Sequence, residues 1–242
     1  MKKFSLVIPC YNECKNINLL LKTLEEILSN KDYIEIIIVD NGSNDETLNA
    51  ISNSALFKNK LIKLIKIIKN IGYGHGIKNG IKNATGNVIG WCHGDLQTSI
   101  KDVILLYENN INTLEKTNCV IKGSRINRSL FDSFFTKAMA ILVSFIFNLK
   151  ISDINAQPKI FPRKFLNLLK NAPDDFSLDL FFLLQAKNNK YNIIESPLVW
   201  HDRKFGDAKG GGSLYLKLKL TLRTLAYLVK LKKRGLDGNN YT

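Results

Sequence analysis

The chain has 242 residues, 45% of them hydrophobic, enough for one large core or two small ones, which excludes a disordered protein. No apolar run reaches the roughly 18 residues that a membrane-spanning helix needs; the longest, Ala138 to Phe147, is shorter and is interrupted by Ser144. A formal charge of +14 points to partners that carry phosphate: a nucleotide, an anionic membrane surface or nucleic acid.

The opening MKKFSLVIPCYNE imitates a secretion signal, but its apolar part is brief and runs into Tyr11-Asn12-Glu13 without a small-residue cleavage site. It reads as a first strand, Phe4 to Pro9, of a cytosolic protein. Asn16 to Ser29 carries Ile17, Leu20, Leu21, Leu24, Ile27 and Leu28 at the spacing of one helix face. Ile34 to Val39 is a short β-branched run that suits a strand buried on both faces of a parallel sheet. A helix is expected over Asp45 to Ser54, then a lysine-alternating strand over Leu61 to Ile68. A glycine-spaced helix follows, then a strand over Asn87 to Cys92. Ser99-Ile100-Lys101-Asp102 fits a capping box opening a helix toward Lys116, and Cys119 to Lys122 is the next strand. The cysteines, Cys10, Cys14, Cys92 and Cys119, form no CxxC pair and read as structural or inert thiols. Gly72, Gly74, Gly76 and Gly80 fail the GxGxxG dinucleotide fingerprint, because Ile77 and Asn79 stand where a glycine is needed. No clean domain boundary is visible, although the character changes after about Ser124.

This alternation of strand and helix implies a parallel sheet covered by helices, with ligands at the carboxyl ends of the strands. Three polar clusters follow such ends: Pro9 to Glu13, Asp40 to Asp45 and His93 to Gln97. Asp40 could accept a hydrogen bond from a base, while Asn41, Ser43 and Asn44 suit helix capping. In GWCHGDLQTS the residues His93, Asp95 and Gln97 alternate, so they could converge on a metal ion and what it carries. A plain strand end with a helix cap would look similar. A diphosphate leaving group needs its charge neutralised, which a divalent cation does well; Asp95 is a hard ligand and His93 tilts the choice toward Mn2+ over Mg2+.

VIPCYNE, IIIVDNGSNDET, the spaced glycines with ATGNVIGWCHGDLQ, KGSR, SDINAQPKIFPR, DFSLDLFFLLQAK and IIESPLVWHDRKFGDAK run in order from Phe4 to about Leu222. In these motifs the chain resembles the glycosyltransferase family 2 enzymes of GT-A fold, and among them the polyprenyl-phosphate sugar transferases of the dolichol-phosphate mannose synthase type. The resemblance implies an α/β, Rossmann-like nucleotide-diphospho-sugar transferase with a mainly parallel central sheet and C-terminal amphipathic helices. It implies that Pro9, Tyr11, Glu13, Asp40, Gly94, Asp95 and Gln97 bind a nucleotide-sugar. The family's Asp-x-Asp-x-Gln motif falls on His93-Gly94-Asp95-Leu96-Gln97, so the implied metal set is Asp95, His93 and Gln97, with His in place of the first acid. Arg125, Arg203 and Lys209 match residues that hold the acceptor's phosphate. Asp179 matches an acidic residue near the acceptor, and Asp153 a position for a base; with Asp95 they form the implied catalytic set.

Residues 1–212 are expected to form the catalytic domain, including an interface helix over 131–149, and residues 213–242 a basic amphipathic helix and tail. Phe131 to Leu149 is rich in Phe and aliphatics, and Leu214 to Arg234 mixes leucines with seven basic residues and no acid. Such segments can lie on the anionic cytoplasmic face of a membrane. Gly206 and Gly210 to Gly212 make a loop able to fold over a ligand. The expected activity is inverting transfer of a sugar from a nucleotide-sugar to polyprenyl phosphate, with a divalent metal. A lipid phosphate is ionised near neutral pH and needs no base. Transfer to a saccharide hydroxyl, in capsule or lipopolysaccharide assembly, is the alternative, and would need Asp153 or Asp179 as base. A non-catalytic nucleotide- or nucleic-acid-binding protein is the remote one. No aromatic platform or DNA-reading motif supports a nucleic-acid partner; a homo-oligomer is compatible with the amphipathic segments.

Overall fold

The computed structural model describes residues 3–127, 141, 152–205, 222, 226 and 227. The Phe131 to Leu149 and Leu214 to Arg234 segments, the Gly206 to Gly212 loop and Lys209 lie outside the described residues, apart from those isolated positions.

A seven-stranded sheet of order β3-β2-β1-β4-β6-β5-β7 forms the middle layer. Its strands are β1 (Phe4–Cys10), β2 (Ile34–Asp40), β3 (Ile62–Lys66), β4 (Val88–Trp91), β5 (Cys119–Ile126), β6 (Lys159–Pro162) and β7 (Asn192–Val199). β6 is antiparallel to both neighbours, β4 and β5, and every other pairing is parallel. All strands but β6 therefore run the same way, and the chain leaves the sheet at one edge after six strands.

Alternation along the strands feeds two cores. Leu6, Ile8, Ile36 and Ile38 face the layer of α1 (Cys14–Leu28), α2 (Thr47–Asn53), α3 (Ala55–Lys58) and α5 (Ile100–Lys116). Val7, Ile37, Val39, Ile89 and Trp91 face the layer of α4 (Tyr73–Lys82) and α6 (Leu178–Asn188). Every residue of β2 is buried: Ile36 to Val39 form the apolar run of a central strand, and Glu35 is buried on Thr85 and Lys63. α1 buries the face formed by Ile17, Leu20, Leu21, Leu24 and Ile27. Ser99 opens α5 by accepting the Asp102 N–H at 3.3 Å.

Three elements differ from the periodicity. β5 runs on to Ile126 rather than stopping at Lys122, because β7 pairs with it as far as Ile126 opposite Val199. α2 starts at Thr47 rather than Asp45, because Asp45 accepts the backbone N–H groups of Thr47 at 3.0 Å and Cys14 at 3.2 Å from outside the helix. β3 stops at Lys66 because β2, its only strand partner among the described residues, ends there with Asp40 opposite Lys66, which leaves Ile68 94% exposed. The glycines of α4 serve packing: a Cβ on Gly80 would lie 2.3 Å from Val7 Cγ1.

Candidate functional site

The first two rim loops are stitched together. The Asn41 N–H donates to Cys10 O at 2.8 Å, continuing the β1–β2 ladder past its end. The Asn12 N–H donates to Ser43 Oγ at 3.0 Å, and the Asn44 N–H to Asn12 Oδ1 at 2.9 Å. Asn12 stands in the left-handed region, with φ 54°, a conformation asparagine tolerates. The Glu13 N–H reaches Thr47 Oγ1 at 2.8 Å. These bonds set Pro9, Tyr11 and Glu13 beside Asp40, a buried carboxylate at the end of β2 that accepts the Ser43 N–H at 3.3 Å.

The β4 loop joins the same rim. A Cβ on Gly94 would stand 2.7 Å from Cys10 Sγ, so the glycine lets this loop close on β1. Burial, with Glu13 next in weight, pushes the Cys10 thiol well above its ordinary value, and burial does the same at Cys92; both are unreactive thiols. The Gln97 N–H donates to Asp95 Oδ1 at 3.1 Å. The chain after β7 lies over this loop: the His201 N–H donates to Gln97 O at 2.9 Å, and Gln97 Nε2 to His201 O at 3.2 Å.

That crossing delivers Arg203. Its guanidinium pairs with Glu13 and lies 3.5 Å from Asp95 Oδ2, with all three side chains largely buried. Arg203 Nε donates to Phe205 O at 2.9 Å. Asn16 donates to Glu13 Oε2 at 2.6 Å and to Phe205 O at 3.2 Å, which ties the segment down to α1. A cation is thus held between two carboxylates that are distant from it in sequence.

The β5 and β6 ends supply the other side. Arg125 grips Asp153 through its guanidinium and its backbone N–H, the latter at 3.0 Å, and lies 5.0 Å from the Trp200 ring centroid. Asp179 is recessed, 1% exposed, with Lys159 Nζ at 3.2 Å. Gln157 Nε2 donates to Asp179 Oδ1 at 3.0 Å and to the Tyr73 hydroxyl at 2.9 Å. The Tyr73 ring stacks on His93 at 5.2 Å on one side and on Phe176 at 4.8 Å on the other. Desolvation, and then the Asp179 carboxylate, hold the Tyr73 phenol well above its ordinary value, so it stays protonated.

Of the residues singled out from the sequence, Glu13, Asp95 and Arg203 are in direct contact, Gln97 adjoins them, and Arg125 and Asp153 pair with each other. Asp179 lies beneath, and His93 reaches it through Tyr73 and Gln157. Tyr73, Gln157, Lys159 and Trp200 enter only with the tertiary structure. The SDINAQPKIFPR motif contains two of them, but nothing in its periodicity marks a buried lysine.

A metal would be held here chiefly by Asp95. Among the described residues no three His, Cys, Asp or Glu side chains gather into a ready cage. The Glu13 and Asp95 carboxylates nevertheless make an anionic seat, in which Arg203 stands where a cation fits. Such a set suits an ion that takes most of its ligands from a substrate's phosphates and water, as Mg2+ and Mn2+ do.

A family model described as Glycosyl transferase family 2 matches residues 5–177. The chain is 27% identical over 240 residues to a dolichyl-phosphate beta-glucosyltransferase of Trichomonas vaginalis, covering 92% of this chain and 70% of that one. It is 23% identical over 245 residues to an undecaprenyl-phosphate 4-deoxy-4-formamido-L-arabinose transferase of Klebsiella pneumoniae, covering 99% and 72%. It superposes with a TM-score of 0.67 on a mannosyltransferase of Pyrobaculum calidifontis in complex with GDP-Man and Mn2+, at 18% identity, covering 94% of this chain and 64% of that one.

Proposed function

Because the chain belongs to glycosyl transferase family 2 and is a glycosyltransferase of GT-A fold, we propose that it moves a sugar, with inversion, from a nucleotide-sugar to a polyprenyl phosphate at the cytoplasmic face of a membrane, in cell-envelope biosynthesis. The observation that carries the choice of acceptor is that both candidate bases are tied to cations. Asp153 is held by Arg125, and Asp179 by Lys159. A hydroxyl nucleophile needs a free base, whereas a phosphate arrives ionised and needs positioning and charge stabilisation. The names of the polyprenyl-phosphate relatives support the same choice.

In this reading Pro9, Tyr11, Glu13 and Asp40 hold the nucleoside, and Gly94, by seating its loop against β1, brings that loop within reach of the donor. Asp95, with His93 and Gln97 beside it, faces the diphosphate. A divalent cation, Mn2+ by preference, would be held by Asp95 and supply charge neutralisation to the leaving group. An acceptor phosphate oxygen bonds to the anomeric carbon as its bond to the diphosphate oxygen breaks, and the nucleoside diphosphate leaves with the electron pair. No proton moves. Arg125, Arg203 and Lys209 hold the acceptor phosphate, Arg203 turning from the Glu13–Asp95 seat once the donor's own cation occupies it. Residues 1–212 carry the chemistry, and 213–242 rest on the membrane.

Incubation with labelled nucleotide-sugars and a short polyprenyl phosphate, with and without Mn2+, tests this. A lipid-linked product is expected, with Asp95→Ala lowering its rate by about 10²–10³. Transfer to saccharide hydroxyls alone would establish the other acceptor class instead.

A further inference from the structure

A buried ion pair stands behind the rim, and no step of the transfer uses it. Lys159 and Asp179 are 0% and 1% exposed. An ammonium has three N–H donors. Lys159 spends them on Ile154 O at 3.1 Å, on Ala156 O and on Asp179 Oδ1 at 3.2 Å. Its orientation is fully fixed. Replacing such a pair by apolar groups is often neutral or stabilising, so stability is a weak reason for its presence.

We propose that Lys159 is a positioning residue for the donor loop: through Asp179, Gln157 and Tyr73 it fixes where His93 and the segment His93 to Gln97 stand. This rests on the reading of that rim as the donor site. Asp179 Oδ1 receives both Lys159 and the Gln157 amide. Gln157 then has one way to sit. Its amide nitrogen serves Asp179 and the Tyr73 hydroxyl, while its Oε1, buried without a hydrogen-bond partner, would face the carboxylate if the amide turned over. Tyr73 is clamped between Phe176 and His93. A shift at Lys159 therefore reaches His93 through four contacts, none of them on the exposed surface of the rim.

Three variants test the chain of contacts. Gln157→Met cuts it at one link and leaves the ion pair in place. Lys159→Met combined with Asp179→Leu removes the pair as a unit, because Lys159→Met alone strands a buried carboxylate. Asp179→Asn keeps an oxygen acceptor for Gln157. The chain has 3 histidines, so the imidazole region of a carbon-resolved proton spectrum is simple to assign. His93 lies over the Tyr73 ring, whose circulating electrons shield its protons. Those protons are expected to move downfield in Gln157→Met and in the double variant, while His75, anchored on Asp174, holds its position. Asp179→Asn is expected to leave His93 where it is. Both disrupting variants are expected to bind UDP or GDP, in the presence of Mn2+, about tenfold more weakly by calorimetry. An unmoved His93 in a disrupting variant that still melts cooperatively overturns the proposal, and so does unchanged nucleotide affinity where His93 has moved. If the parent protein binds neither nucleotide, the donor-site reading fails by itself, and the His93 resonances still decide the coupling.

Discussion

Lysine is an expensive side chain to bury, and two lie opposite each other across the β5–β6 pairing: Lys122 and Lys159, both 0% exposed. Burial, and then the Lys159 charge, bring the Lys122 ammonium down to about 8, although Glu195 at 3.4 Å pulls the other way. In the unfolded chain that lysine stays protonated to about 10.4. Between those values the unfolded state binds more protons than the folded one, so this group makes stability rise with pH across the window. Below about 8 its charged form weighs against folding. Lys122→Met is therefore expected to be more stable than the parent at pH 7 by about 1–3 kcal/mol, with the gap closing toward pH 10. Urea unfolding of both proteins from pH 7 to 10 reads the difference; the tyrosine and cysteine shifts, common to both, cancel. A gap that does not change with pH would mean that the Lys122 ammonium titrates in the fold as it does in the unfolded chain.

Helix α4 lies against the sheet at one glycine's distance and carries Tyr73 at its first turn. Its seat is set by Gly80 over Val7 and Val39, and by Gly76 over the Asn41 side chain. By helix propensity alone, Gly80→Ala would gain about 1 kcal/mol. The added methyl would instead lie 2.3 Å from Val7 Cγ1 and 2.9 Å from Val39 Cγ2, on two stiff β-branched side chains in β1 and β2. Overpacking is expected to win, destabilising the protein by about 1–3 kcal/mol in urea unfolding. The displaced helix would also carry Tyr73 away from Gln157, so nucleotide affinity should fall with stability. An alanine variant as stable as the parent would show that α4 can slide on the sheet.

At the scale of the whole molecule, a charge of +14 and a rim that collects cations describe a protein made for anionic partners. Among the described residues no helix is long and apolar enough to cross a membrane. Each basic residue close to an anionic leaflet contributes about 1 kcal/mol, and the attraction fades as salt shortens the Debye length. Co-sedimentation with vesicles containing anionic lipid is therefore expected at low salt, with loss at about 1 M salt and little binding to neutral vesicles. Binding that is equal on neutral and anionic vesicles would point to the apolar faces instead of the charge.

The first half of the fold was legible because its signals are local. β-branched runs mark buried parallel strands, the Ser99 cap marks a helix start, and polar residues after each strand mark the carboxyl rim. The same locality explains why Pro9 to Glu13, Asp40 to Asp45 and His93 to Gln97 could be placed on one edge from the order of the residues alone. What lay beyond reach depends on chain segments that meet only after folding. β6 is four residues long and antiparallel, too short to carry a period of its own. Arg203 comes to Glu13 and Asp95 across more than 100 residues because β7 ends at the same rim. Lys159 looks like one more surface lysine in a basic chain until β4, β5 and α6 close around it. Sequence determined which residues could act at the rim; only the tertiary structure decided which of them are already paired, because pairing is a matter of distance and burial rather than of order along the chain.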